Sequence, residues 1–231
     1  MKHKLSIVFS RYCNNDFKVS FIRGSDMNIE KIMKLKENFK ERNIEVKCFE
    51  GPDDVMSYIL ASVPIDASIG IGHSETLQRM DMVNTLIKRG NLVYDKELAA
   101  TKEDIKVIKK KALTADWYIT GSNAISVDGR IVNVDHSGNR VASMTYGPDK
   151  VIIVVGKNKI VDSLNEAISR VKNVASPLNA KRAGYNPPCV ELNRCVECLS
   201  KERVCNYLSI IEGQADCNRM QILIVNIDCG F

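Results

Sequence analysis

The strongest constraint on this chain is the repeated passage from a short apolar segment, through a turn, into a stretch whose apolar residues recur about every 3.6 positions. Residues 150–155 (KVIIVV) read as the most central strand, entered from the Gly147-Pro148-Asp149 turn and left through Gly156 and Asn158. Ile160, Leu164, Ala167, Ile168 and Val171 then follow at helical spacing. The same alternation recurs upstream. Residues 5–9 read as a strand, Asp26 as the cap of a helix with Ile29, Ile32, Met33, Leu35 and Phe39 inward, and Val46 and Phe49 as the flanks of a second strand. Pro52 opens a helix carrying Val55 and Ile59 that stops near Pro64. Residues 67–71 form an apolar segment that leads through Gly70-Ile71-Gly72-His73-Ser74 into Leu77, Met80 and Val83 at helical spacing. After a short strand at 91–94, Thr101 and Asp104 make a capping box for a helix whose inner stripe is Ile105, Ile108, Ala112 and Ala115. Strands alternating with helices in this way predict an α/β fold, with a Rossmann-like, mostly parallel sheet and helices on both faces.

Two breaks in the alternation matter. Residues 125–127 and 130–134 flank Asp128-Gly129, a strong two-residue hairpin signal, and this turn is the simplest use for Asp128. Residues 177–188 are the least regular stretch, and 207–211 and 222–227 read as late strands. At 231 residues the chain fits one domain, 1–231, with 186–206 as a metal-binding insertion near the C-terminus.

That insertion carries the densest chemistry. Of eight cysteines, four fall together as Cys189-x5-Cys195-x2-Cys198-x6-Cys205. A Cys-x-x-Cys step can aim two thiolates at one ion, and four such ligands suit tetrahedral zinc or a single [4Fe–4S] cluster. A redox-active dithiol needs its motif to open a helix after a strand, and the Pro187-Pro188 turn precedes this one instead. Cys13 and Cys48 read as small core hydrophobes, and no spacing argument recruits Cys217 or Cys229.

Charge excludes some functions. Lys and Arg exceed Asp and Glu by 33 to 28, a net +5 that is too slight for a nucleic-acid signature, and the basic run at 106–111 reads as a solvated helix face. No apolar stretch reaches the roughly 18 residues of a membrane span. The five-residue apolar piece at 5–9 lacks a cleavage site, so a cytoplasmic protein is expected.

Two constellations can bind or react. Gly70, Gly72, Ser74 and Thr76, between strand and helix, let backbone and hydroxyls approach an anion, with His73 beside them; Glu75 replaces the last glycine of a dinucleotide fingerprint. Gly121 and Asn123 follow another strand, and Asp135, His136, Asn139 and Arg140 follow the hairpin. A carboxylate beside an imidazole can move a proton near neutral pH, although neighbours on a strand point to opposite faces. Arg140 with Asn139 can clamp an anion.

With these segments in view, the sequence resembles the lactate-utilisation (LUD) domain family over roughly residues 26–229. The carriers are GIGHSETL from Gly70, where the family tends to read GxGGSxTL, and the run TADWYITGSNAISVDGRIVNVDHSGNRVASMTYGPDKVIIVVGKNKIV. The final PPCVELNRCVECLSKERVCNYLSIIEG is similar to members that bear a cysteine cluster. The resemblance implies the fold shared by ribose-5-phosphate isomerase, glucosamine-6-phosphate deaminase and the CoA transferases. It also implies an anion pocket at Gly70–Thr76 lined by Gly121–Asn123, and a role in organic-acid, lactate-type metabolism beside iron–sulfur partners. Two departures stand out: His73 replaces a common glycine and narrows the loop, and Asp135-His136-Ser137-Gly138 replaces Asp-Gly-Thr-Gly.

The leading expectation is therefore a cytoplasmic protein that binds a small anionic metabolite. It would carry a four-cysteine centre, iron–sulfur for electron transfer or zinc as a staple, and Asp135 or His136 would be the proton carrier. The alternatives are an isomerase, lyase or transferase acting on a phosphorylated or CoA-linked substrate, and a zinc-stapled ligand-sensing or interaction module. The partners expected are the metabolite, an iron–sulfur or redox protein and a second copy in a homodimer, with neither nucleic acid nor membrane.

Overall fold

The computed structural model describes residues 28–231. The expected strand at 5–9, the Asp26 cap and Cys13 lie outside the described residues. Elements follow in the order α1 (Ile29–Lys40), β1 (Glu45–Phe49), α2 (Pro52–Ser62), β2 (Ser68–Ile71), α3 (Glu75–Arg79), α4 (Met82–Arg89), β3 (Leu92–Tyr94), α5 (Lys102–Ala112), β4 (Trp117–Gly121), β5 (Ala124–Ser126) and β6 (Ile131–Asp135). They continue with α6 (Asn139–Thr145), β7 (Lys150–Gly156), β8 (Ile160–Val161), α7 (Leu164–Arg170), α8 (Ser176–Arg182), α9 (Pro188–Leu192), β9 (Tyr207–Ile211) and β10 (Met220–Val225).

Six strands form a wholly parallel sheet in the order β1-β10-β7-β4-β2-β3. Its centre is the apolar run anticipated from sequence. Because strand side chains alternate, Val151, Ile153 and Val155 enter one core with Leu35, Phe39 and Tyr118. Ile152 and Val154 enter a second core, on the other face, with Val55, Ile59 and Leu86. Burial on both faces explains the unbroken β-branched run, since each such side chain contributes about 1.5–3 kcal/mol when fully buried.

Capping follows the sequence closely at α5, where the Thr101 hydroxyl accepts from Asp104 N at 3.1 Å and Asp104 accepts in return from Thr101 N at 3.0 Å. In α1 the cap is Asn28, and only Ile32, Leu35 and Phe39 of the expected stripe are buried, with Ile29 60% and Met33 58% exposed. The stretch expected to form one helix through Leu77 and Val83 is two, because Asp81 adopts a left-handed backbone (φ 49°) between α3 and α4.

A second sheet, in the order β8-β5-β6-β9, lies outside the expectation of one sheet. The Asp128-Gly129 hairpin forms as expected, with β5 antiparallel to β6 and Gly129 at φ 88°. Ile160, expected inside a helix, instead pairs with Ile125 in β8. Its helix starts only after Ser163, whose side chain accepts from Glu166 N. The region expected to be irregular, 177–188, is helical in its first half, where α7 runs through a π-turn at Val171–Ala175 into α8, and irregular from 183 to 187. Among the described residues, no helix is long and apolar enough to cross a membrane.

Candidate functional site

A cleft of about 570 Å³ opens at the carboxyl ends of β2 and β4. The chain leaves β2 toward β3 on one side, while β4 leads to β7 and β10 on the other. That reversal of strand order is where open α/β sheets place their ligands. The loop after β2 contributes His73, Ser74 and Glu75, and the loop after β4 contributes Ser122 and Asn123 beside Gly121. The turn after β3 contributes Lys96 and Glu97, and Lys109 reaches in from α5. The second sheet and the turn after it add Asp135 and His136, α6 adds Asn139 and Arg140, and α8 adds Asn179 and Arg182. Lys159, in the turn after β7, and Phe231 complete the group that matters chemically.

Most of the residues singled out from sequence therefore meet in one place, but the structure employs several of them differently from the expectation. Gly70, Gly72 and Thr76 do not line the cleft. A Cβ on Gly70 would lie 2.7 Å from Ala112 O, and one on Gly72 would lie 2.2 Å from Thr120 Oγ1, so both glycines serve the close packing of β2 against α5 and β4. Gly121 likewise leaves room for Ser74, whose Oγ would lie 2.4 Å from an added Cβ.

Arg140 is half-buried and its guanidinium is fully engaged. Its guanidinium donates to Gly121 O (3.0 Å), Asn133 Oδ1 (2.8 Å), Asn123 Oδ1 (2.8 Å) and Val134 O (2.7 Å). It locks the β4–β5 loop to β6, and burial lowers its pKa. Asp135 accepts from three backbone N–H groups, His136 N (2.8 Å), Arg140 N (2.8 Å) and Val141 N (3.3 Å), and so fixes the turn into α6. The His136 ring packs against Tyr185 with centroids 5.3 Å apart. Asn139 accepts from Ser137 Oγ at 2.8 Å.

His73 sits between Arg182 and Glu97. Arg182 Nη1 contacts Nε2, and since a guanidinium can only donate, Nε2 accepts and the ring proton is on Nδ1, 3.4 Å from Glu97 Oε1. Burial, with Lys96 and Arg182 nearby, pulls its pKa down to about 4, against the opposing pull of Glu97, so the imidazole is neutral.

Sequence reasoning missed the most unusual group. Lys159 is 3% exposed, the one lysine buried among the described residues. Its Nζ donates to Thr76 Oγ1 at 3.2 Å. The Thr76 hydroxyl in turn donates to Cys229 O at 3.2 Å. Among the described residues no carboxylate pairs with Lys159, and burial together with Arg170 lowers its pKa to about 8. Its one signal in the sequence was position, in the turn that follows the central strand. Arg182 gave none, because α8 occupies the stretch read as irregular.

The cysteine segment forms a second cavity of about 390 Å³, and Cys189, Cys195, Cys198 and Cys205 all line it. Val134 lines both cavities. Glu197, held in a left-handed backbone (φ 50°), donates its N–H to Cys195 Sγ at 3.4 Å. Arg203 donates to Cys205 O (3.1 Å) and Cys198 O (3.3 Å), and both Lys172 and Arg203 line the cavity. Burial, and then the other three sulfurs, raise the Cys189 pKa. The seven cysteines among the described residues are free thiols. As they stand, no group of three or more His, Cys, Asp or Glu side chains among the described residues converges to hold a metal ion. The donor set nevertheless suits a thiolate-ligated centre: four sulfurs round one cavity, an N–H aimed at one of them, and two cations to balance anionic sulfur.

Residues 32–225 match the family described as LUD domain. Among matching solved structures is a crystal structure at 1.70 Å of a DUF162 family protein from Deinococcus radiodurans, 15% identical, covering 85% of this chain and 96% of that chain with a TM-score of 0.49. No curated protein matches.

Proposed function

This chain belongs to the LUD domain family, and from that premise we propose that it serves organic-acid metabolism, taking a small carboxylate-bearing metabolite in its cleft and a metal centre of iron–sulfur type in its cysteine cavity. The observation that carries the reading is the shared wall. Four cysteines spread over seventeen residues of sequence line one cavity, and that cavity meets the cleft at Val134.

The cleft favours an anion. Lys96, Lys109, Arg140, Lys159 and Arg182 face Glu75, Glu97 and Asp135, and the histidine at its mouth is neutral. All three carboxylates are already engaged, Glu75 with Arg79 at 3.4 Å, Glu97 with Lys96 at 3.4 Å and Asp135 with backbone N–H groups. Lys109 Nζ donates to a hydroxyl, Ser137 Oγ at 3.2 Å, and its three-donor ammonium has a donor to spare for a ligand. Asp135, placed as it is, orients the α6 turn while His136 faces the ligand as the proton carrier.

Cys189, Cys195, Cys198 and Cys205 would hold the centre, with Lys172 and Arg203 offsetting its charge. An iron–sulfur cluster supplies one-electron transfer when bound, and a metabolite in the adjoining cleft would be its reaction partner. Anaerobic purification of the full chain tests this directly. Iron and acid-labile sulfide in stoichiometric amounts, with a brown colour lost in Cys198→Ala, are expected. Zinc in place of iron removes the electron-transfer reading, and protein with neither metal removes the centre altogether.

A further inference from the structure

Lys159 has a position that anion binding alone does not explain. Its side chain is closed in on the protein side by Thr76 and by Gly230, where a Cβ would stand 3.0 Å from Nζ and 2.9 Å from Thr76 Oγ1. Gly230 (φ 65°) thus keeps clear the space beside the amine. Thr76 Oγ1 donates to Cys229 O, so toward Lys159 it presents a lone pair and holds the nitrogen in place without neutralising a charge. The other face of Lys159 belongs to the cleft. The charged groups acting on it are Arg170 and Arg140, which oppose the ammonium, and Glu75 and the Cys229 thiol, which favour it. A buried ammonium with no ion-pair partner is disfavoured, whereas a buried amine is not.

We propose that Lys159 is a carbonyl-reactive amine that condenses with a small 2-oxo acid in the cleft, the carboxylate of that acid being held by the surrounding cations. This rests on the reading of the cleft as an anion site and narrows its substrate class. The depressed pKa of about 8 agrees with the geometry: at pH 7.5 about a quarter of such a lysine is free amine, against about one in a thousand for an ordinary one. In the step itself the Nζ lone pair attacks the carbonyl carbon and a C–N bond forms. The nitrogen gives up its two protons in turn, the former carbonyl oxygen takes two, and water leaves as the C–O bond breaks and the C=N bond forms. The product is an imine, with one water released and no change in oxidation state. Glu75, which lines the cleft and acts electrostatically on Lys159, is the carboxylate to relay those protons.

The test is reductive trapping. Full-length protein is incubated with pyruvate, and separately with glyoxylate, in the presence of cyanoborohydride, and then analysed by intact mass and peptide mapping. The expected result is a single reduced-imine adduct on Lys159 that saturates with the oxo acid and is lost in Lys159→Met and Lys159→Arg. Mapping on the native protein decides the matter even if a variant fails to fold. No adduct with either acid, or adducts spread over exposed lysines such as Lys88 and Lys110, overturns the proposal. Competitive labelling of amines across pH gives a second reading: Lys159 is expected to react with a midpoint near 8, and an ordinary lysine midpoint overturns the proposal. If the acids stabilise the protein against heat yet leave no adduct, the imine fails while the anion cleft stands. If they neither bind nor react, both fail.

Discussion

Replacing Lys159 with methionine is expected to stabilise the protein. The lysine is drawn from an ordinary 10.5 to about 8 in the folded state, a difference of about 3 kcal/mol at 1.36 kcal/mol per pKa step. The sign follows from proton binding. Between pH 8 and 10.5 the unfolded chain holds more protons than the folded one, so stability rises with pH across that window. Above it the group contributes no penalty, and below pH 8 the full penalty is present. Methionine has similar length, removes the charge and gives up the hydrogen bond to Thr76, worth about 1 kcal/mol. Thr76 keeps its bond to Cys229 O. The net gain at pH 7 is about 2 kcal/mol, which for a domain of this size is an upward shift of about 4–8 °C in Tm. Thermal unfolding of both proteins at pH 7 and at pH 10 measures it. The advantage of Lys159→Met should shrink or reverse at the higher pH. A variant less stable than the parent at pH 7, or a gap that ignores pH, would refute the argument that this ammonium is buried and uncompensated.

Other consequences are equally direct. His73, with its pKa pulled down to about 4, should make stability fall as pH drops from about 6.5 toward 4. His73→Gln should flatten that stretch of the unfolding profile, and an imidazole seen by NMR to titrate above pH 6 would contradict the assignment. Arg140→Ala removes four hydrogen bonds that tie the β4–β5 loop to β6, although Asn123 Oδ1 and Asn133 Oδ1 each keep a backbone donor. A loss of about 3–5 kcal/mol in urea unfolding is expected, and Arg140→Lys should not restore it, because an ammonium cannot span the fork. Arg182→Gln and Lys109→Gln should each weaken the heat stabilisation given by pyruvate and reduce its sensitivity to salt, whereas Lys88→Gln, on the exposed end of α4, should do neither.

What could be read from the sequence divides along physical lines. The central sheet was legible because a strand buried on both faces needs an unbroken β-branched run, as at Val151–Val155, and because the Thr101–Asp104 box and the Asp128-Gly129 turn carry their geometry in adjacent residues. β8 was not, since its pairing with β5 joins Ile160 to Ile125 and nothing near Ile160 records that partner. The site follows the same division. Polar loops at strand ends were visible as candidates, so His73, Ser74, Asn123, Asp135 and Arg140 were found together. Their roles were not visible, because whether a guanidinium meets a ligand or four oxygens of its own chain depends on contacts up to 19 positions apart. Gly70 and Gly72 illustrate the converse: a glycine needed for packing looks the same in sequence as one needed for a ligand.

His73 shows how the local chemistry of the cleft is arranged. A glycine there would leave Arg182 without its imidazole partner and Glu97 without the Nδ1 proton. As it stands, the ring links the β2 loop, the β3 turn and α8 at the cleft mouth, and it must stay neutral to do so, since a second ring proton would point at a guanidinium. Arg182 also lies over the Phe231 ring at 5.7 Å, so the same cation touches two sides of the opening. Protonating His73 removes the acceptor that holds Arg182 and adds a positive charge beside Lys96. Acidification should therefore release the mouth of the cleft before the fold fails. If it does, pyruvate affinity will change between about pH 5 and pH 3.5, around the His73 midpoint, in the parent but not in His73→Gln, while the sheet's circular dichroism stays constant over the same interval.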